Sequence, residues 1–347
     1  RRQAREMAAE WSSDLEFRKL DPYIVELEAQ SLIRHYERTH VPELGDMGPS
    51  RPDGVFRWLI CQTNSKTTEE VRERKVKQIK QLVEEYNAQG VGLLEIGVNW
   101  SMFPCSQNLS TWFGSWKPML TNTAHNRHER LGRHQQGGVA MLAFGDLQKY
   151  LRKRAVDFRG LGRWCSWLFY ANENHKTRVI VAYPTGRPKP KLTGSVYQQQ
   201  VRYLQEQGID SNPRRLFAID FLASLQTWKS KGERLLIFWD ANEHILDGEL
   251  SRRLMEQLDL KEVYHQFWEG ERPHTHISRS EPIDGCLASR ELEFTSHRLL
   301  SFHRSVGDHR SALLDVTSRS FLGIDSFTPV RCKPRKLSTR HRTATAS

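Results

Sequence analysis

The sequence predicts a layered α/β fold, and three observations carry that expectation. From Val55 onward short apolar runs alternate with stretches of helical periodicity. The run Leu235-Leu236-Ile237-Phe238-Trp239, between Arg234 and Asp240, is too short for a membrane span and suits a strand buried on both faces. Several such runs also end in acids or amides, and the carboxyl ends of buried strands are where layered α/β proteins place their chemistry.

Taken in order, residues 1–54 read as a helical N-terminal extension. Ile24, Leu27, Leu32, Ile33 and Tyr36 approximate helical spacing, and the stretch closes in the Pro/Gly-rich segment from Val41 to Gly54. Phe56 to Cys61 is a strand ending near Asn64. Thr67-Thr68-Glu69-Glu70 has capping-box spacing, and Val76, Ile79, Leu82, Val83 and Tyr86 form the apolar face of the helix that follows. Gly90 stops that helix, and Val91 to Ile96 is the next strand, with Glu95 near its end. Residues 97–136 read as a long irregular loop rich in Trp, Asn and His. Its His125, His128 and His134 alternate with Arg127, Arg130 and Arg133, which marks a mobile basic loop rather than a metal cluster.

Gly137 to Leu142 resumes the sheet. Trp164–Tyr170 and Thr177–Tyr183 form a hairpin through Asn172-Glu173-Asn174, followed by Pro184-Thr185-Gly186-Arg187 and the basic Pro188-Lys189-Pro190-Lys191. One helix then carries Tyr197, Val201 and Leu204. A second opens on Asn212 as cap with Pro213 in its first turn and buries Phe217, Phe221, Leu225 and Trp228. After Asp240 and Asn242 a short helix aligns Leu250, Leu254 and Leu258. Ile283-Asp284-Gly285 sets a carboxylate in an apolar context, and Gly307-Asp308-His309 precedes the last strand, Ala312 to Val316. Residues 319–347 read as a basic tail or linker without periodicity.

Fifty-two basic residues against 41 acidic ones leave a formal charge of +11, which favours a polyanionic partner, nucleic acid before membrane. The five cysteines are scattered and odd in number, with no C-x-x-C pair, which argues against a disulfide framework or a thiolate zinc site and for a reducing, intracellular compartment, nucleus or cytoplasm. The chain opens on Arg1 with no apolar core behind its first arginines, so a signal peptide is not expected. A start on Arg rather than Met is expected of a segment of a longer polypeptide, whose other domains would be partners.

The strand ends together supply Asn64, Glu95, Tyr183, Asp240, Asn242, Asp284, Asp308 and His309. A set of Asn, Glu and Asp oxygens suits a hard cation such as Mg2+. Singly, Glu95 is an ordinary strand-end carboxylate, Asp308-His309 a turn pair and Tyr183 a half-buried strand aromatic. The order of the motifs is what speaks against those plain readings. Gln62-Thr63-Asn64, Leu94-Glu95, Gly137-Gly138-Val139, Tyr183-Pro184, Trp239-Asp240-Ala241-Asn242, Ile283-Asp284 and Gly307-Asp308-His309, read in sequence, resemble the endonuclease/exonuclease/phosphatase superfamily over residues 55–318.

The resemblance implies a DNase I-like four-layered sandwich, two packed mixed β-sheets flanked by helices. It implies Glu95, helped by Asn64 and Asp308, at a Mg2+ (or Mn2+) ion. Asp240 and Asn242 would position or activate the attacking water and contact the scissile phosphate, Tyr183 would bond a phosphate oxygen, and His309, oriented by Asp284, would stabilise the crowded phosphate or move a proton. Arg187, Lys189 and Lys191 are the expected substrate contacts. Five positions depart from the family's usual pattern: Leu94 stands for Gln, Trp239 for Gly, Pro282 for the common Arg, Gly285 for an aromatic and Gly307 for a frequent Ser. The implied activity is a Mg2+-dependent endonuclease on nucleic acid, DNA before RNA, of the kind also found in retrotransposon-like polyproteins. The alternatives are a phosphatase on lipid or nucleotide phosphates, or a catalytically silent nucleic-acid-binding module of the same fold.

Overall fold

Alternation of apolar runs with amphipathic helices builds two sheets in the computed structural model, which describes residues 41–64, 69–104, 106–129, 132–188 and 194–325. The expected helices within residues 1–40, the Thr67-Thr68 cap, Lys189, Lys191 and the end of the tail lie outside the described residues. In the first sheet β1 (Val55–Gln62) pairs in parallel with β2 (Gly90–Leu94), and α1 (Glu69–Glu85) makes the crossover. β3 (Met119–Ala124), β4 (Val139–Phe144), β11 (Phe294–Leu299) and β12 (Ala312–Thr317) complete the order β11-β12-β1-β2-β4-β3. The second sheet runs β5-β6-β7-β8-β10-β9, from β5 (Leu151–Val156), β6 (Trp164–Phe169), β7 (Lys176–Ala182), β8 (Glu233–Asp240), β9 (Leu260–Glu262) and β10 (Asp284–Ser289). Its one parallel pair, β7 with β8, is bridged by α3 (Val196–Glu206) and α4 (Pro213–Lys229).

The sheets pack face to face because each buries a full apolar face. Trp58 of β1 meets Phe169 and Phe238 of the other sheet, with ring centroids 6.1 and 5.7 Å apart. Glycine is required at one point of β2 that faces the other sheet: a Cβ on Gly92 would stand 2.8 Å from Ile60 and 2.9 Å from Val181. The outer face of the first sheet packs on the apolar stripe of α1 and on Leu109 and Phe113 of α2 (Leu109–Phe113). The outer layer of the second sheet includes α4 and α5 (Glu249–Leu258), which bury Phe217, Phe221, Leu225 and Leu254. The result is the expected four-layered sandwich of helix, sheet, sheet and helix. Among the described residues no helix is long and apolar enough to cross a membrane.

Arg57 is the polar exception inside β1. It forms a two-pronged ion pair with Asp315, its partner across β12, at 2.8 and 2.7 Å, and donates to the carbonyls of Gly48 and Tyr86. That pairing fastens the segment before β1 to the sheet, where Met47 is buried and Leu44 bridges Leu299. At the other end α6 (Ser318–Leu322) buries Phe321 and Leu322.

Residues 97–136 differ from the irregular loop expected of them, since α2 and β3 lie within them. β5, β9 and β11 were equally unexpected. With β3 they are the four sheet edges, and an edge strand needs no apolar alternation to form.

Candidate active site

Sheet direction decides which chain ends meet. β1 and β2 run parallel, as do β7 and β8, so their carboxyl ends share one rim. β10 and β12 run antiparallel to β8 and β1, so the same rim receives their beginnings. In register Asp284 stands directly opposite Asp240. Asn64, Glu95, Tyr183, Asp240, Asn242, Asp284, Asp308 and His309 therefore come to one place.

The backbone is forced to turn sharply there. Six non-glycine residues among those described have positive φ, and three of them are Asn64 (39°), Glu95 (53°) and Asn242 (51°), each just past its strand. Asn tolerates this region, whereas Glu pays about 1–3 kcal/mol to be held there. The surroundings supply the constraint. Thr63 N–H donates to the Leu94 carbonyl at 2.8 Å, its hydroxyl donates to the carbonyls of Leu94 and Glu95, and Ile96 and Gly97 donate to Gly138 and Gly137. Gly137 and Gly138, at φ of 85° and 81°, make that last contact with no Cβ to obstruct it.

The side chains form one connected set. Asp284 Oδ2 lies 2.7 Å from His309 Nδ1, and His309 Nε2 faces Asp240 Oδ2 at 4.0 Å and Asp308 Oδ1 at 3.8 Å. Asp240 Oδ1 accepts from the Asn242 backbone N–H at 2.9 Å, a local turn that fixes the carboxylate, and the Asn242 amide donates to the Pro184 carbonyl at 3.0 Å. Tyr183, buried beside them, bonds with Glu95 and Asn242. Asn64 bonds with Asp308.

Three further residues belong to the set. Gln62 donates through Nε2 to Glu95 at 3.3 Å and to Asp240 at 3.2 Å, tying the two carboxylates together. Lys75, on α1, donates to the carbonyls of Thr63 and Asn64 and brings its charge to Asp308 and Glu95. His276 stacks edge-on against His309, centroids 4.6 Å apart, and pairs with Asp308 at 3.4 Å. Gln62 was legible inside its motif and Lys75 by its place one turn before Ile79. No signal marks His276 in the irregular stretch before β10.

Electrostatics divides the labour. Burial, reinforced by the Asp284 charge, pushes the Asp240 carboxyl up to about 7. Burial works against a charged His309, but Asp284, Asp240 and Asp308 outweigh it and raise the ring to about 10. Burial also pushes Asp308 upward, yet the His276 hydrogen bond and the nearby imidazolium charge hold it down at about 2. Burial and the neighbouring Glu95 and Asp240 raise the Tyr183 phenol, leaving it a neutral donor.

Asp240, Asp284 and His309 offer ligand-type atoms within 4.8 Å of one another, as do His276, Asp308 and His309. Both groups could hold a metal, but both depend on His309, whose ring is charged and occupied by Asp284. The oxygens of Glu95, Asn64 and Asp308 fit a hard cation better. Asp308 Oδ1 is buried without a hydrogen-bond partner, the state of an oxygen awaiting a ligand, and the described cysteines Cys61, Cys165 and Cys286 are free and buried. His125, His128 and His134 gather no such group among the described residues: His125 bonds Ser101 and His128 lies against the Arg159 carbonyl. Arg187 is exposed and joins none of the contacts above; it follows Gly186, whose Cβ position would lie 3.1 Å from Asn242 Oδ1.

No protein-family model matches the chain, and no curated protein matches it in sequence. Solved structures do match its fold. The AP endonuclease LMAP from Leishmania major is similar at a TM-score of 0.56 and 10% identity, over 76% of this chain and 88% of that one. The human Nocturnin catalytic domain with bound sulfate is similar at 0.53 and 15% identity, over 81% of this chain and 98% of the other. The 3' phosphatase NExo from Neisseria, bound to product DNA hairpin, is similar at 0.51 and 13% identity, over 75% and 98%.

Proposed function

We propose that this chain, which has the DNase I-like fold of endonuclease/exonuclease/phosphatase enzymes, is a divalent-metal-dependent phosphodiesterase that hydrolyses the backbone of nucleic acid, DNA before RNA. The observation that carries the reading is one connected set of hydrogen bonds and ion pairs drawn from both sheets, with Asp284, Asp240 and Asp308 gathered around His309, Asn64 on Asp308, and Gln62 joining Asp240 to Glu95. Strand-end acids serving only as turns would have no reason to converge. A basic chain of +11 and structural neighbours that include an AP endonuclease and a DNA-bound 3' phosphatase support the substrate class.

In this reading Glu95, Asn64 and Asp308 hold Mg2+ or Mn2+, which when bound neutralises charge on the phosphate. Asp240, ionised above about pH 7, takes a proton from water as that water adds to phosphorus. Asn242 keeps the carboxylate aimed. Neutral Tyr183 donates to a phosphate oxygen. Imidazolium His309 lies against the negative phosphate and supplies the proton to the leaving oxygen as the P–O ester bond breaks. Arg187, Lys189 and Lys191, which follow β7 in the sequence, are assigned to the substrate backbone.

The test is a panel of plain duplex, abasic duplex, single-stranded DNA, RNA and inositol phosphate, each with Mg2+ and with excess chelator. Cleavage of a nucleic acid that chelation abolishes is expected. Turnover of inositol phosphate alone would point to the phosphatase, salt-sensitive binding with no turnover to a silent module, and full activity in chelator would end the metal assignment.

A further inference from the structure

Next to the assembled acids lies a groove of about 570 Å³ whose walls are the first turns of α4 and α5. α4 leads into β8 and α5 follows it, so both helices begin toward the rim where β8 ends. Pro184, on its wall, accepts from the Asn242 amide, and Glu243 follows Asn242 in the chain. Two of the charged residues here have structural work. Arg214 donates to the Thr185 carbonyl at 2.8 Å and pairs with Glu243 at 3.3 Å, and Glu243 in turn accepts from the Ser251 N–H at 2.9 Å inside α5. Glu249, in the first turn of α5, answers that helix's own dipole.

Arg215 and Arg253 have no such task. Both line the groove, both are exposed, and among the described residues neither side chain has a hydrogen-bond or ion-pair partner. Arg215 also sits where a cation is unfavourable, in the first turn of a 17-residue helix that has no acid there to offset the positive end. Two guanidinium forks at such a place match the oxygens of a phosphate. Ile219, 49% exposed on the same wall, offers an apolar surface of the sort a sugar covers.

We propose that this groove receives the backbone phosphate neighbouring the scissile one, held by Arg215 and Arg253, so that the substrate is a polynucleotide strand and not an isolated phosphate ester. The proposal rests on the phosphodiesterase reading. Binding, however, tests it separately from catalysis. Anisotropy of a labelled oligonucleotide is followed against salt in excess chelator, for the full chain and for R215A/R253A. The variant should show a slope of log affinity on log salt shallower by about 0.7 per lost contact on a single strand, or about 0.9 on B-form DNA. Arg252→Ala removes another exposed charge of α5, outside the groove, and should leave the slope in place. In Mg2+, the double variant should lose at least about tenfold more kcat/KM on the oligonucleotide than on bis(4-nitrophenyl) phosphate, one factor of ten being about 1.4 kcal/mol. A parental slope in the double variant, or an equal loss in Arg252→Ala, overturns the groove. A parent that cuts neither substrate overturns the phosphodiesterase reading, and the slope still decides for the groove.

Discussion

Asp284→Asn asks whether His309 owes its charge to its neighbours. The Asp284 carboxylate bonds the ring at 2.7 Å, and with Asp240 and Asp308 it outweighs a burial that would otherwise leave the imidazole neutral, giving a value of about 10. Two unit charges about 4 Å apart at an effective dielectric of about 20 interact by about 4 kcal/mol, or about three pKa units. Asn keeps the size and the hydrogen bond but not the charge, so His309 should fall to about 7. Asp240 should move the same way. After burial, the Asp284 charge is what raises it most, and without that charge it should ionise below its present value of about 7. Turnover that needs ionised Asp240 and protonated His309 gives a bell between about 7 and about 10 in the parent. In the variant both limbs shift to acid. Stability has the same origin: a ring whose folded value lies above its unfolded one stabilises the protein fully below about pH 6.5, and that contribution is lost as pH rises through about 10. The variant should therefore melt lower than the parent near pH 6, with the gap closing toward pH 10. The assays are pH–rate profiles on a small diester at saturating Mg2+ and a ring-carbon NMR titration of His309 in chelated protein. A His309 that titrates within about half a unit of the parent would refute the argument.

Other substitutions probe separate parts of the site. Glu95→Ala should raise the Mg2+ concentration for half-activity by more than the tenfold to about hundredfold that loss of a mere supporting group costs, read from metal titrations of turnover. Asp240→Asn and His309→Ala should each cost orders of magnitude in single-turnover rate while melting near the parent, and the double variant should lose scarcely more than either; singles within about threefold of the parent would make these residues turn-formers. Gly307→Ser places a Cβ 2.5 Å from the Gln62 carbonyl, a contact that backbone cannot yield to cheaply, so thermal melts should report a loss of about 1–3 kcal/mol.

Legibility followed burial. Most central strands announced themselves, since a strand covered on both faces is largely apolar: β1, β8 and β4 are buried along nearly their whole length, whereas β10, which opens on Asp284-Gly285, was legible only as a carboxylate in an apolar context. The four edges did not. β5 reads Leu-Arg-Lys-Arg-Ala-Val with its charges exposed, β9 has three residues, and β11 carries a bulge between Phe294 and Ser296. Those are the devices that keep an edge from pairing with another chain, and they erase the pattern a reader relies on. The site divided in the same way. Acids at the ends of legible strands could be found, because the strand fixes where they point. His276 comes from an irregular stretch and meets Asp308 and His309 through tertiary folding alone, while Arg57 and Asp315, charges inside buried strands, run against the pattern that located the strands around them.

Two departures from the superfamily's usual motifs are neighbours in the sheet. Trp239 occupies the place of a glycine before Asp240, and Gly285 the place of an aromatic after Asp284. Read singly, each would crowd or hollow the ground beside a carboxylate. In the sheet, however, Trp239 and Gly285 are direct partners across β8 and β10, one position from the Asp240–Asp284 pair. Partners across an antiparallel ladder share a face, so the bulk of Trp239 lies beside a position that carries no side chain. Ile245 fills what a side chain at 285 would take, 2.2 Å from the Cβ position, and Trp239 is buried at 1% exposure. Gly307 follows the same logic, since its backbone lies too close to Gln62 for a side chain and Gln62 is the amide that joins Glu95 to Asp240. At both positions the local packing, Ile245 against Gly285 and the Gln62 backbone against Gly307, leaves no room for the side chain that the usual motif would place there.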